Sequence, residues 1–347
     1  MSSRFALVAA ATVLASLACV TTSQAGTHRN TTPTGGTCSP STIITDYTDS
    51  LDKTTFAGTY VGNFSALAVD HNGGIAALSD RSSLFTLDRH TLRPSAVQTL
   101  ADENGAELDS EALVMDWDGT RLITSEVEPS IRRFDREGRI TGRLPVPGEF
   151  AVAPVGRATR NATFEGLTLM PGGRTLIASM EGPLSGDDGT VRLQTWQRNV
   201  LRRSFSLNRQ FGYRLDSGLT VSDIAATPDG RMLVLERGYT SGVGNTVRLY
   251  LADLKHADDT RTVEKLTGQQ DIRLVHKTLL ADLVNCPSMG ATAKQPQPNP
   301  LLDNIEGVAV TGRRADGGLK LLLVSDDNQG TSQITRLYRL DVRLPRH

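Results

Sequence analysis

The chain has 347 residues, with 37 Lys and Arg against 38 Asp and Glu, for a formal net charge of -1. That balance carries no basic footprint of the kind nucleic acid or an anionic membrane selects, so neither is expected as a partner. The length would accommodate two ordinary domains, but closed all-β rings exceed the usual domain size as one unit, and Gly is abundant enough for a turn-rich fold.

The N-terminus reads as a secretory signal peptide over residues 1–25. Arg4 supplies the charge, Phe5 to Val20 is mostly apolar, and Ser23-Gln24-Ala25 presents small residues at the cleavage positions. The apolar run is too short for a membrane span. A retained anchor and a lipoprotein built on Cys19 are the alternatives, and Ser16-Leu17-Ala18-Cys19 sets its Leu one place too late for the second. The expected product is secreted and has no membrane span. Cleavage leaves Cys38 and Cys286, which an oxidising compartment would join; two unpaired thiols are the alternative. Residues 26–40 are expected to be disordered and residues 41–345 to form a single domain.

Five segments then repeat one pattern in chain order. They start at Phe64, Ser110, Phe164, Ser222 and Ile305. Each is an apolar strand, a turn containing Asp-Gly or Gly-Gly, a second apolar strand and an acid. Both faces of these strands are apolar, which suits sheets packed between neighbours. More polar strands follow at Ser83–Asp88, Ile131–Asp135, Val191–Trp196, Thr246–Leu251 and Gln333–Leu340. The segments Pro145–Asn161 and Asn285–Pro300 read as loops, the second too rich in Pro for a ladder. Repeated four-stranded units without helical periodicity predict an all-β β-propeller, with five blades favoured and six possible. The last unit lacks a fourth strand, and Thr42–Asp49 would supply it, closing the ring from the N-terminus and covering a sheet edge.

In such a blade the start of the first strand lies beside the end of the second. Acids occupy both places: Glu111 with Glu126, Glu165 with Glu181, Asp223 with Glu236, Glu306 with Asp326, and Asp80 opposite Ser65. Crowded carboxylates repel and raise each other's pKa, and a hard cation relieves this. Ca2+ accepts many oxygens in irregular geometry, so these nine acids are the candidate metal ligands; no Cys/His cluster suggests zinc. Capping of strand ends or pairing with Arg81 and Arg237 is the structural alternative. His71 and His90 read as solvated turn residues, and Asp187-Asp188-Gly189 either extends the acidic face or is an ordinary solvated turn.

Phe164-Glu-Gly-Leu, Ile305-Glu-Gly-Val, Ser79-Asp80-Arg81 and Ser325-Asp326-Asp327 together resemble the bacterial phytase-like domain family, known for the "esterase-like activity of phytase". The likeness runs from Phe64 to Leu340 and departs from the pattern at Ser65 and Asp223, where a regular repeat would show Glu. It implies phosphoester hydrolysis on the repeated Glu and Asp residues. Glu111, Glu165 and Glu306 are then the candidate catalytic residues, Arg81 and Arg237 the candidate phosphate donors, and a small-molecule ester the substrate of a monomer. Two other readings stay open. One is a non-catalytic, Ca2+-stabilised binding propeller. The other is a metal-dependent lactonase or esterase, for which Asn63, Asn104, Asn161 and Asn304 are suitably placed.

Overall fold

The computed structural model describes residues 36–199, 204–268 and 271–346. The expected signal peptide therefore lies outside the described residues, as do positions 26–35 of the segment expected to be disordered. Among the described residues no helix is long and apolar enough to cross a membrane.

The chain forms a five-bladed β-propeller. The first blade runs Phe64–Val69, Ile75–Ser79, Ser83–Leu87, Pro94–Thr99 from axis to rim, and the second Leu113–Met115, Arg121–Ser125, Ser130–Phe134, Ile140–Arg143. The third is Phe164–Leu169, Thr175–Met180, Thr190–Arg198, Phe205–Arg214, and the fourth Thr220–Ala226, Met232–Thr240, Gly244–Asp253, His276–Asp282. Each is an antiparallel meander, because the short apolar runs are joined by residues that accept positive φ: Gly119 and Gly230 sit at 83° and 89° in their hairpins. The runs are apolar on both faces because both faces are covered. Apolar clusters fill the spaces between neighbouring blades, as where Trp196, Phe164 and Phe150 pack edge to face and the Trp196 indole donates to Pro145 O at 2.7 Å.

The fifth blade closes the ring. Its inner three strands are Ile305–Arg313, Leu319–Ser325 and Leu337–Val342, and the N-terminal strand Thr42–Thr48 adds the fourth, pairing Thr42 with Val342 and Thr48 with Leu337. A fifth strand, Gly36–Ser39, lies outside it. The expectation of disorder over 26–40 is thus corrected for its last residues: pairing with Thr42–Ile44 orders them, and Cys38 is bonded to Cys286. That disulfide ties the N-terminal strand pair to the segment between the fourth and fifth blades. The hairpin Thr54–Phe56/Thr59–Val61, ahead of the first blade, carries no repeat signature and was not expected.

Candidate functional site

The five inner strands stand around an axial channel and all start at the same mouth. Where four of them start, the register slips by one residue against the second strand: between Phe64 and Ala66, Phe164 and Gly166, Val221 and Asp223, and Ile305 and Gly307. A bulged residue leaves the ladder and its side chain is re-aimed. The bulged residues are Ser65, Glu165, Ser222 and Glu306; Glu111 holds the matching place in the second blade, just ahead of Ala112, whose carbonyl accepts from Thr124 N–H. Asp80, Glu126, Glu181 and Asp326 come directly after the second strands; in the fourth blade, whose second strand runs on to Thr240, the matching position is Arg237, paired with Thr220.

These two rings of positions build a cavity of about 240 Å3 at the mouth, lined by Asp80, Asp109, Glu111, Glu126, Glu165, Glu181, Glu306 and Asp326, with Arg237, Asn161 and Asn328 among them. Seven of the nine acids expected from the sequence meet here. Asp223 and Glu236 do not, and the slipped register is the reason. The fourth blade's bulge falls on Ser222, so Asp223 takes the place that Gly166 and Gly307 hold in their blades and lines the inner channel, a separate space of about 200 Å3. Its carboxylate accepts from Ile224 N–H at 2.7 Å and Val308 N–H at 2.8 Å. Glu236 stays within its ladder, opposite Val221, and accepts from the Tyr213 hydroxyl at 2.7 Å, Lys277 Nζ at 2.6 Å and Asp216 N–H at 3.0 Å.

The expected phosphate donors also separate. Arg237 lies inside the acidic ring, with Nη2 2.7 Å from Glu306 and 3.8 Å from both Glu165 and Glu181. Arg81 stays outside, 60% exposed, 3.7 Å from Asp80 and from Glu107. Asp187, offered as an extension of the acidic face, is instead buried against Arg192 at 2.7 Å and Arg157 at 3.0 Å.

Asp109 was not anticipated. Its carboxylate, with those of Glu111 and Glu126, brings three oxygens within 4.8 Å of one another. The available signal was conformational. Asp109 and Asn161 near the inner-strand starts, like Asn63, have φ near 50°, and Asn and Asp are the non-Gly residues that tolerate that region best. Of the four asparagines weighed for lactone chemistry, Asn161 lines the cavity and Asn304 donates to Glu306 at 2.8 Å. Asn63 gives its carbonyl to Asp80 N–H, and Asn104 sits in an exposed turn bonded to Asp102.

Burial and mutual repulsion dominate the electrostatics. Burial, then Glu306 and Glu126, pushes Glu111 well above the usual carboxylate range; burial, then Glu111 and Glu181, does the same to Glu165. Burial pushes Asp80 and Glu126 up to about 7, although Arg81 and the Thr163 N–H respectively oppose it. Glu111 is the extreme case: 7% exposed, with neither a hydrogen bond nor an ion pair among the described residues. Buried acceptors ordinarily find a donor, so an unpartnered carboxylate facing a polar cavity marks a place for a positive ligand.

A family defined by the esterase-like activity of phytase matches residues 59–329, most of the chain, taking in the first four blades and the two inner strands of the fifth. The chain belongs to the phytase-like family. The stretch matched includes every acid that lines the mouth of this phytase-like domain. A fungal protein from Arthroderma benhamiae, described as an uncharacterized secreted protein, is 24% identical over 210 residues; the match covers 48% of this chain and 40% of that relative. Among solved structures, a streptogramin B lyase (TM-score 0.37, 9% identity) covers 81% of this chain and is itself 94% covered. The WD40 repeats of RRP9 (TM-score 0.40, 11% identity) cover 86% and are 98% covered.

Proposed function

We propose that this chain is an exported, Ca2+-dependent hydrolase of phosphate esters whose reaction centre is the acidic mouth of the propeller channel. The observation that carries the reading is the convergence of Asp109, Glu111 and Glu126, with Glu111 buried and unpartnered. The donor set is all oxygen, with no His or Cys in the group, which suits a hard divalent cation. Membership of a family named for phytase supports phosphate esters as the substrate class. Export is supported by the Cys38–Cys286 bridge, a feature of oxidising compartments, and by the secreted relative.

Asp109, Glu111 and Glu126 would hold the ion, with Asp80 beside them. When bound, such an ion supplies positive charge against phosphoryl oxygens and acidifies water. Glu165 is buried and keeps its proton longer than an ordinary carboxyl, the property required of a group that hands a proton to a leaving oxygen. Glu306 is held between Asn304 and Arg237, which fixes its orientation at the same centre. Arg81, exposed at the rim beside Asp80 and Glu107, would turn its guanidinium toward an arriving phosphate.

The test is turnover of a chromogenic phosphate ester and of a lactone, each with chelator and with added calcium. Phosphate release that stops with chelator and returns with calcium is expected, with Glu165→Gln lowering kcat by about a hundredfold. Lactone turnover alone would move the site to carboxylic ester chemistry. Calcium binding without turnover of either would leave a cation-stabilised binding propeller, and turnover indifferent to chelator would sink the role of the ion.

A further inference from the structure

At the inner-strand starts Ser65 and Ser222 already interrupt the run of Glu; in the second ring of positions the mouth departs from five-fold regularity at one place. Four blades follow their second strand with a carboxylate, Asp80, Glu126, Glu181 or Asp326, whereas the fourth blade presents Arg237. In a closed ring of five, the fourth blade neighbours only the third and fifth. Arg237 meets acids of those two blades alone: Glu306 at 2.7 Å, and Glu165 and Glu181 at 3.8 Å. A guanidinium at such distances offsets the repulsion among three carboxylates as a bound ion would.

The first and second blades lie beyond its reach. There Asp80 has only the exposed Arg81, at 3.7 Å, and its Oδ1 is buried without a hydrogen bond among the described residues. Asp109, Glu111 and Glu126 have no ion pair there at all, and they are the acids whose oxygens converge within 4.8 Å. The buried, unpartnered Glu111 points to a ligand on this side, independently of the count of acids.

We propose that Arg237 is a built-in cation filling one half of the carboxylate ring, so that the mouth takes a single divalent ion, on the side of Asp109, Glu111 and Glu126. This rests on the cation reading above. Arg237 is thereby a positioning residue for the site, in place of the phosphate donor its sequence position suggests.

Calorimetric titration of the purified protein with calcium alone decides it. The wild type should bind one ion. Glu126→Gln should weaken binding about tenfold or more, because a hard ion loses a charged ligand, whereas Glu181→Gln, which removes a partner of Arg237, should change it by less than about threefold. Arg237→Glu restores the acid of the other blades and should admit a second ion; Arg237→Gln, the milder change should the first fail to fold, should do the same. Two ions on the wild type, equal losses in the two glutamate variants, or a single ion on a folded Arg237 variant would overturn the role of Arg237 while leaving the cation reading intact. No calcium on any of these proteins would overturn the cation reading, and the role of Arg237 with it.

Discussion

Glu111 and Glu126 differ from ordinary surface acids because folding removes them from water and places like charges around them. Without a cation this has a thermodynamic signature. An acid whose folded pKa exceeds its unfolded value keeps its proton over a pH window in which the unfolded chain has lost it. Its contribution is therefore most favourable below the unfolded pKa and declines as pH rises through the folded pKa. Asp80 and Glu126, each pushed up to about 7 by burial, set that window, and Asp109, Glu181 and Glu306 add repulsion to one or both. The melting temperature of the protein in chelator should accordingly fall between about pH 4 and about pH 7, and calcium, which favours the ionised carboxylates, should remove most of the fall. A melting temperature that holds steady or rises over that range in chelator would contradict the electrostatics described for the mouth. The residues responsible were largely legible, since acids recurring after apolar hairpins named seven of the eight carboxylates that line it. Asp109 was missed because it precedes the repeated pattern, and its inclusion depends on a left-handed backbone conformation.

At the scale of strands, the bulge at the start of four of the inner strands decides which residue faces the mouth. In the fourth blade it falls on Ser222, one position before the acid that alignment by residue type selects. Hydrophobic pattern does not announce a bulge, because Ser222 and Asp223 are equally polar neighbours ahead of the same apolar run. Asp223 consequently serves to tie blades together: its carboxylate spans from its own strand to Val308 N–H in the fifth blade. Asp223→Ala should cost about 1–3 kcal/mol of stability, the penalty for leaving buried donors without their acceptor. It should leave calcium affinity unchanged, whereas Glu111→Gln should reduce that affinity. Denaturant unfolding and calorimetry on the two variants separate these outcomes, and a loss of calcium affinity in Asp223→Ala would return Asp223 to the metal site. Ring closure by Thr42–Thr48 was legible for a different reason: a blade short of one strand leaves an edge of unpaired backbone groups, and the unassigned N-terminal run was the segment available to cover it.

For the whole molecule, the outer N-terminal strand Gly36–Ser39, which pairs with the closing strand, is joined covalently across 248 residues to the segment between the fourth and fifth blades by Cys38–Cys286. Cross-linking a loop of that length limits the unfolded chain by about 5 kcal/mol in the chain-entropy account. Cys286→Ser should therefore lower stability by up to about that amount, read as a lower denaturation midpoint that reducing agent does not lower further. Equal midpoints for wild type and variant would show that strand pairing alone holds the closure. The sequence by itself determined the all-β ring, its five units, its closing strand and the pairing of its cysteines. These follow from local signals: apolar runs of strand length, turn residues with the right backbone freedom, repetition, and the small number of cysteines. Only the tertiary structure decided which acids share one cavity and on which side Arg237 lies. Both depend on one-residue register slips and on which blades are neighbours around the axis, and a single residue of slip moves a side chain from the mouth to the channel wall.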